Sequence, residues 1–163
     1  MVNTKAKTPR ESSVETRYLI MPHHANPHGT VFGGVIMAWI DMVAGMAAQR
    51  HAGCNVVTVS IDSLDFKEPI LIGEHVTLRS SVNYVSRSSM EVGVQVVREN
   101  PYDGNQSIAT SAHLTFVALD KNNNPTHAPL ITPETVQEKE RYERAKKRVI
   151  ARKELLKKSS ESY

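Results

Sequence analysis

Val14, Thr16, Tyr18 and Ile20 alternate with polar neighbours, the period of a half-buried strand. The same period returns at Val57, Val59 and Ile61, then at Val76, Leu78, Ser80, Val82 and Tyr84. It recurs at Met90, Val92, Val94 and Val96, and again over residues 107–119. Between the first two runs lies a stretch of another kind. Residues 35–48 contain only two that are not apolar, Asp41 and Gly45, and no proline. His51-Ala52-Gly53 supplies a polar last turn and a glycine stop, so the pattern predicts a helix over Val35–Ala48. A helix apolar all round must be covered on every side. Short polar links separate the later runs: Ile72-Gly73-Glu74, Ser86–Ser89, Asn100–Asn105 and Asp120–Pro125. Links that short imply antiparallel hairpins, because parallel neighbours need a longer crossover. The predicted order is β-α-β-β-β-β, an α+β domain whose antiparallel sheet wraps a long central helix. The helix faces left over call for a second layer or a second copy of the chain.

The ends differ from this body. Residues 1–13 are polar, carry Pro9 and paired serines, and are expected to form a disordered tail. The domain itself should span 14–131. From 132 to 163 a C-terminal helical extension is expected, opening at Thr132-Pro133-Glu134 with a Thr cap, a proline in the first turn and an acid beside it. Its body, Glu138 to Lys158, holds ten Lys/Arg against four Glu, with a thin apolar seam of Tyr142, Ala145, Val149 and Leu156. That reads as a solvated helix docked loosely by the seam.

Charge and composition narrow the function. The net charge of +3 and the pI of about 9.0 come from this extension. The rest of the chain is slightly acidic, which argues against a nucleic-acid partner. At 163 residues the chain is one domain's worth, and no apolar run reaches the ~18–20 residues that span a bilayer, so no membrane insertion is expected. No apolar stretch follows Met1-Val2-Asn3-Thr4-Lys5, and the single Cys54 cannot form an internal disulfide. A cytoplasmic setting is the expectation.

Asp41 is the residue that needs a reason. An ionised carboxylate without partners is costly to bury, so it is paired, protonated or placed at a wet surface. Gly34, Ala38, Asp41, Gly45 and Ala48 recur at helical spacing and form one stripe of small side chains around the acid. Two readings stand: a structural Asp that caps a loop or meets a cation, or a functional one beside a slender ligand. Phe32-Gly33-Gly34 lies where the helix should begin, and helix N-termini offer unpaired amides to an oxyanion or a polarised carbonyl. A carboxylate on the same face as such donors is a layout for hydrolysis.

At this point the chain resembles a known family. The run Asn26-Pro27-His28-Gly29-Thr30-Val31-Phe32-Gly33-Gly34, with Asp41 seven residues on, is similar to the signature of hotdog-fold acyl-CoA thioesterases. The likeness is to the long-chain cytosolic (brain-type) acyl-CoA hydrolase group and its single-domain bacterial relatives. It continues through Met42-Val43-Ala44-Gly45, Arg50-His51, residues 57–62, Asp65-Phe66, residues 87–91 and Thr132-Pro133-Glu134-Thr135.

The resemblance implies a thioesterase that hydrolyses acyl-CoA to free acid and coenzyme A, without metal or cofactor. Asn26 and Asp41 would be its catalytic pair, with Asp41 as general base on water, or as nucleophile. The amides at Gly33 and Gly34 would take the oxyanion. Arg87, Ser88 and Ser89 match a turn near the coenzyme A moiety, and the residues alone leave open a phosphate grip or an ordinary polar turn. Thr58 is placed with the substrate-binding residues. It could hydrogen-bond near Asp41 or simply be a β-branched strand residue. A homodimer would build two sites, each with Asn26 of one protomer and Asp41 of the other, and three dimers would make a hexamer.

Other readings carry less. His23, His24 and His28 are split by Pro27 and lack Cys partners, so no metal site is expected, and Cys54 has no base in a local motif. The rival functions are a hotdog module that binds acyl-CoA without turning it over and an acyl dehydratase. The dehydratase chemistry would want a catalytic His where this helix has none before His51.

Overall fold

The computed structural model of the chain describes residues 5–62 and 64–160. Five strands form one antiparallel sheet: β1 (Val14–Leu19), β2 (Asn55–Ile61), β3 (His75–Val85), β4 (Ser89–Glu99) and β5 (Gln106–Leu119), in the order β1-β3-β4-β5-β2. Three helices accompany it, α1 (Pro9–Ser12), α2 (Gly33–Ala52) and α3 (Val136–Ser160). The sheet curls around α2, and α3 lies on its outer face. The apolar runs of β3, β4 and β5 put Leu78, Val82, Met90, Val92, Val96, Leu114 and Phe116 against Ile36, Ile40, Val43, Ala44 and Ala47 of α2. Tyr18 of β1 stacks flat on Trp39, their centroids 4.0 Å apart.

The predicted central helix is longer than the pattern of its apolar core, reaching back to the two glycines and on to Ala52. Gly53 ends it in the left-handed region at φ 68°, with its amide on the Gln49 carbonyl. The sheet covers only part of this helix. Met37, Met42 and Met46 stay about half exposed, as do Val57, Val59 and Ile61 on β2, whose outer edge has no strand neighbour among the described residues.

Residues 5–13 correct the expectation of a disordered tail; residues 1–4 lie outside the described part. The Lys7 amide donates to Leu130 O at 2.9 Å and its carbonyl accepts from Thr132 at 2.8 Å, so the segment pairs with the strap before α3. The Lys7 ammonium donates to the last-turn carbonyls of α2, Arg50 O at 3.0 Å and His51 O at 2.8 Å, where a cation meets the negative end of the helix. Glu11 accepts from the Thr8 amide at 2.7 Å and caps α1. Hydrogen bonds to a distant helix end leave no periodic trace, which is why polar composition misled.

The other correction is the start of α3. It begins at Val136, not at Pro133, because Thr135 is the residue that caps it: its hydroxyl accepts from the Glu138 amide at 3.2 Å and Glu138 accepts from the Thr135 amide at 2.9 Å. The helix is also held more firmly than its seam suggested. Ala145 and Val149 are buried, while Leu156 is exposed and outside the seam. Arg148 grips Glu91 of β4 with two bonds, Nη2 to Oε1 at 2.6 Å and Nε to Oε2 at 3.1 Å. The Glu91 side chain is only 2% exposed. Stranding such a carboxylate costs about 3–5 kcal/mol, against about 0–1 kcal/mol for an exposed pair.

His51 is sealed under the strap. Its Nε2 donates to Pro129 O at 2.8 Å, leaving Nδ1 to face the Ser12 hydroxyl at 3.3 Å. Burial pushes its imidazole below the ordinary value of 6.5, with the Pro129 bond opposing.

Two outcomes follow for stability. In urea titrations at fixed protein concentration, Arg148→Ala should lose about 3–5 kcal/mol while Arg144→Ala, in the exposed pair with Glu140, loses at most about 1 kcal/mol; equal losses would refute the anchoring. For His51 the folded chain stays neutral where an unfolded chain takes up a proton, so its contribution is complete above the unfolded value and fades as pH falls below 6.5. A His51→Asn variant should show a shallower fall in unfolding free energy between neutral and acid pH, and an unchanged slope would count against this.

Candidate active site

The loop before α2 is built by Asn26. Its amide donates to Thr30 O at 2.8 Å and its carbonyl accepts from Gly29 at 3.0 Å. The side chain closes the same turn: Oδ1 accepts from the amides of His28 at 2.9 Å and Thr30 at 3.3 Å, and Nδ2 donates to Thr30 Oγ1 at 2.8 Å. Gly29, at φ 76°, makes the reversal possible. The Phe32 amide then donates to His24 O at 2.8 Å, which delivers the chain to the start of α2 at a fixed angle.

Phe32 is the N-cap residue, without a side-chain cap. The Gly33 and Gly34 amides donate no hydrogen bond among the described residues. A Cβ at Gly34 would sit 2.4 Å from the Phe32 ring, and one at Gly33 would sit 3.5 Å from the ring of Phe66. Glycine therefore keeps a helix N-terminus open between two partly exposed aromatic rings. A concavity of about 340 Å³ lies here, lined by Thr30, Val31, Gly33, Phe66 and Ile70.

Asp41 is half-buried on α2. Its Oδ1 accepts from Thr58 Oγ1 at 2.8 Å, and no partner for Oδ2 appears among the described residues. Thr58, expected among the substrate-binding residues, thus spends its hydroxyl proton on the carboxylate. Among the described residues no cation meets Asp41, so the structural reading of a charge-paired acid does not describe it. Asn26 makes no bond to it within the protomer. Nor do the helix-terminal amides reach it. Seven residues of helix separate Gly34 from Asp41, about 10 Å at ~1.5 Å per residue, so one carbonyl cannot touch both on the same helix.

Arg87 and Ser88 lie in the β3–β4 turn and Ser89 opens β4. Ala118 donates to Ser88 O at 2.9 Å and Ala128 to Arg87 O at 3.1 Å, while Arg87 Nε approaches His127 Nε2 at 3.4 Å. Register brings this turn to the Asp41 end of the sheet: Ser89 and Val57 both pair with Val117, one residue from Thr58. The histidines do other work. His24 packs edge-on to Trp39, its Nδ1 accepts from the Met21 amide at 3.1 Å, and desolvation with His23 nearby lowers its basicity. No three metal-ligating side chains cluster among the described residues.

A cavity of about 700 Å³ lies elsewhere, between α3 and the outer face of the sheet. Three of its five arginines already have partners: Arg79 meets Glu15 at 2.7 Å, Arg144 meets Glu140 at 3.3 Å and Arg148 meets Glu91 at 2.6 Å. Chemistry and not size locates the candidate site: Asp41 lines neither concavity, and its carboxylate lies half-buried beside Thr58. Phe32 and Phe66 are the site residues that sequence pattern missed, since lone aromatics beside loops carry no periodic signal.

Residues 28–104 match the model of the Thioesterase superfamily. An uncharacterized acyl-CoA thioester hydrolase of Bacillus subtilis is 43% identical over 129 residues, covering 79% of this chain and 75% of that protein. The cytosolic acyl coenzyme A thioester hydrolase of Rattus norvegicus is 35% identical over 152 residues; the match takes in 92% of this chain but only 40% of the rat protein. Among solved structures, an acyl-CoA hydrolase from Staphylococcus aureus, in complex with butyryl coenzyme A, coenzyme A and coenzyme A disulfide, superposes with a TM-score of 0.90 at 39% identity over 96% of each chain. Forms of that hydrolase with an Asp, an Asn or a Thr replaced by Ala have also been solved.

The Asn26 loop yields a direct test. Asn26→Ala should speed amide exchange at His28 and Thr30 by about tenfold, the loss of roughly one net hydrogen bond at each, with little change in the melting temperature. Unchanged exchange would mean that the carboxamide does not order the loop.

Proposed function

The chain belongs to the thioesterase superfamily, among its acyl-CoA thioester hydrolases, and from that premise we propose that it hydrolyses acyl-CoA to a free acid and coenzyme A. The observation that carries the reading is Asp41: a lone carboxylate on an apolar helix, one oxygen held by Thr58 and the other left open. In the Staphylococcus aureus hydrolase the replaced Asn, Asp and Thr have the same spacing as Asn26, Asp41 and Thr58 here. That agreement supports these three as the working set.

The site is shared between two copies. The ~10 Å between Gly34 and Asp41 on one helix vanishes if two α2 helices lie antiparallel, bringing the N-terminus of one to the carboxylate of the other. The exposed Met37, Met42 and Met46 would be covered by that contact, and the open edge of β2 would pair with its copy. Three such dimers make a hexamer, and solved thioesterases similar to this chain are hexameric.

In that arrangement the amides of Gly33 and Gly34 donate to the thioester oxygen, and Asn26 orients the water or the substrate. Asp41 takes a proton as the water oxygen bonds to the carbonyl carbon. The C–S bond then breaks, and the proton held by Asp41 leaves with the coenzyme A thiolate as thiol. No metal or other cofactor enters these steps. Arg87, Ser88 and Ser89 lie where a phosphate of the substrate could be gripped. No helix among the described residues is long and apolar enough to cross a membrane, and we place the enzyme in the cytosol with its rat relative.

Release of free thiol from acyl-CoA by the purified protein tests the reaction. Asp41→Asn should lower turnover by about 10²–10⁴-fold while coenzyme A still binds; full activity in that variant would sink the mechanism. Binding without turnover in the parent would favour the sensing module instead. Mixed Asn26→Ala and Asp41→Ala chains should recover part of the activity, and proven subunit exchange without recovery would contradict the shared site.

A further inference from the structure

β2 does not run as a regular strand. Thr58 pairs with Phe116 and Ser60 with Thr115, so Val59 is an extra residue opposite no partner. In a regular strand Thr58 and Ser60 would share a face. The bulge separates them. Thr58 follows Phe116 inward, toward α2 and Asp41, while Ser60 follows Thr115 outward, toward α3.

Two rows therefore cross the sheet back to back. On the inner side Met90, Phe116 and Thr58 are register partners; on the outer side Glu91, Thr115 and Ser60 are. The outer row is all polar and is held by one face of α3. Arg148 clasps Glu91, and one turn on, Arg152 Nη1 donates to Ser60 Oγ at 2.6 Å and also to Thr115 Oγ1. That guanidinium spans β5 and β2 at the bulge. Within its own sheet β2 is the last strand, so β5 is the only strand of the same protomer that fixes its register among the described residues. A slip of one residue would turn Thr58 away from Asp41.

We propose that Arg152 is a positioning residue of the reaction: by stapling Ser60 to Thr115 it fixes the Val59 bulge, and the bulge aims the Thr58 hydroxyl at Asp41. This rests on the thioesterase reading above, because it gives Arg152 its effect through the base of that reaction. Arg152 itself touches neither substrate nor Asp41.

Steady-state kinetics on the full-length enzyme test it. Arg152→Ala should lower kcat by about tenfold with KM within about twofold, as expected for a misplaced group and not for lost binding. Arg152→Lys should recover most of the loss, because an ammonium can still donate to both hydroxyls. Thr58→Val should lower kcat comparably, and Arg152→Ala in the Thr58→Val background should change nothing further. Additive losses, or an unchanged kcat in Arg152→Ala, would overturn the proposal. If Arg152→Ala does not fold, Ser60→Ala removes the acceptor and carries the same expectations. Amide exchange in residues 56–61 should quicken in either variant whether or not the protein turns over acyl-CoA, and undisturbed exchange would also overturn it. An Asp41→Asn enzyme of full activity would instead bring down the thioesterase mechanism, leaving the exchange result to judge the staple.

Discussion

Asp41 is the constraint around which the molecule is arranged. Full burial of an unpaired carboxylate costs several kcal/mol, so the helix that carries it cannot be sheathed by its own sheet on every side. The structure meets this by covering the Ile36, Ile40, Val43 and Ala47 side of α2 with β3, β4 and β5 and leaving the acid half-exposed beside Thr58. The same choice leaves Met37, Met42 and Met46 uncovered, which is apolar surface a monomer would not retain without reason. A half-exposed acid and an uncovered helix face are thus one fact seen twice.

Much of this was legible in the chain. The change of period from helix to strand marks every element of the domain, because burial on one face of a sheet imposes alternation and burial around a helix abolishes it. The stripe of Gly34, Ala38, Asp41, Gly45 and Ala48 marks the side of α2 that carries the acid, because helical spacing sets these small residues in line with it. The illegible parts are those set by hydrogen bonds between distant segments. Lys7 capping α2, and His51 sealed by Ser12 and Pro129, depend on loop paths that no local pattern encodes. The helical rise was readable, yet pairing donor and acid on one helix overlooked the distance it imposes.

The bulge is the clearest example. Val57, Val59 and Ile61 read as a regular strand, and nothing at Val59 marks it as an extra residue. Its signal lies on the other strand, in the match of Thr58 to Phe116 and of Ser60 to Thr115, and two polar residues flanking a β-branched one look the same with or without it. The arginines of α3 were visible as charge. Only the register of three strands turns Arg148 and Arg152 from solvated positions into contacts with one polar row.

That row also explains why an anchoring helix should be so polar. A hydrophobic seam in place of Glu91 and Arg148 would hold α3 at least as well, since replacing a buried ion pair by packed apolar groups is often neutral or stabilising. Apolar contact, however, tolerates a one-residue slide of β2, because any small apolar side chain fits beneath the helix. Directional bonds do not: a guanidinium that satisfies hydroxyls on two strands does so in one register only. The outer face of the sheet accepts polar burial, and the inner face thereby keeps Thr58 on Asp41 without placing a cation beside that carboxylate.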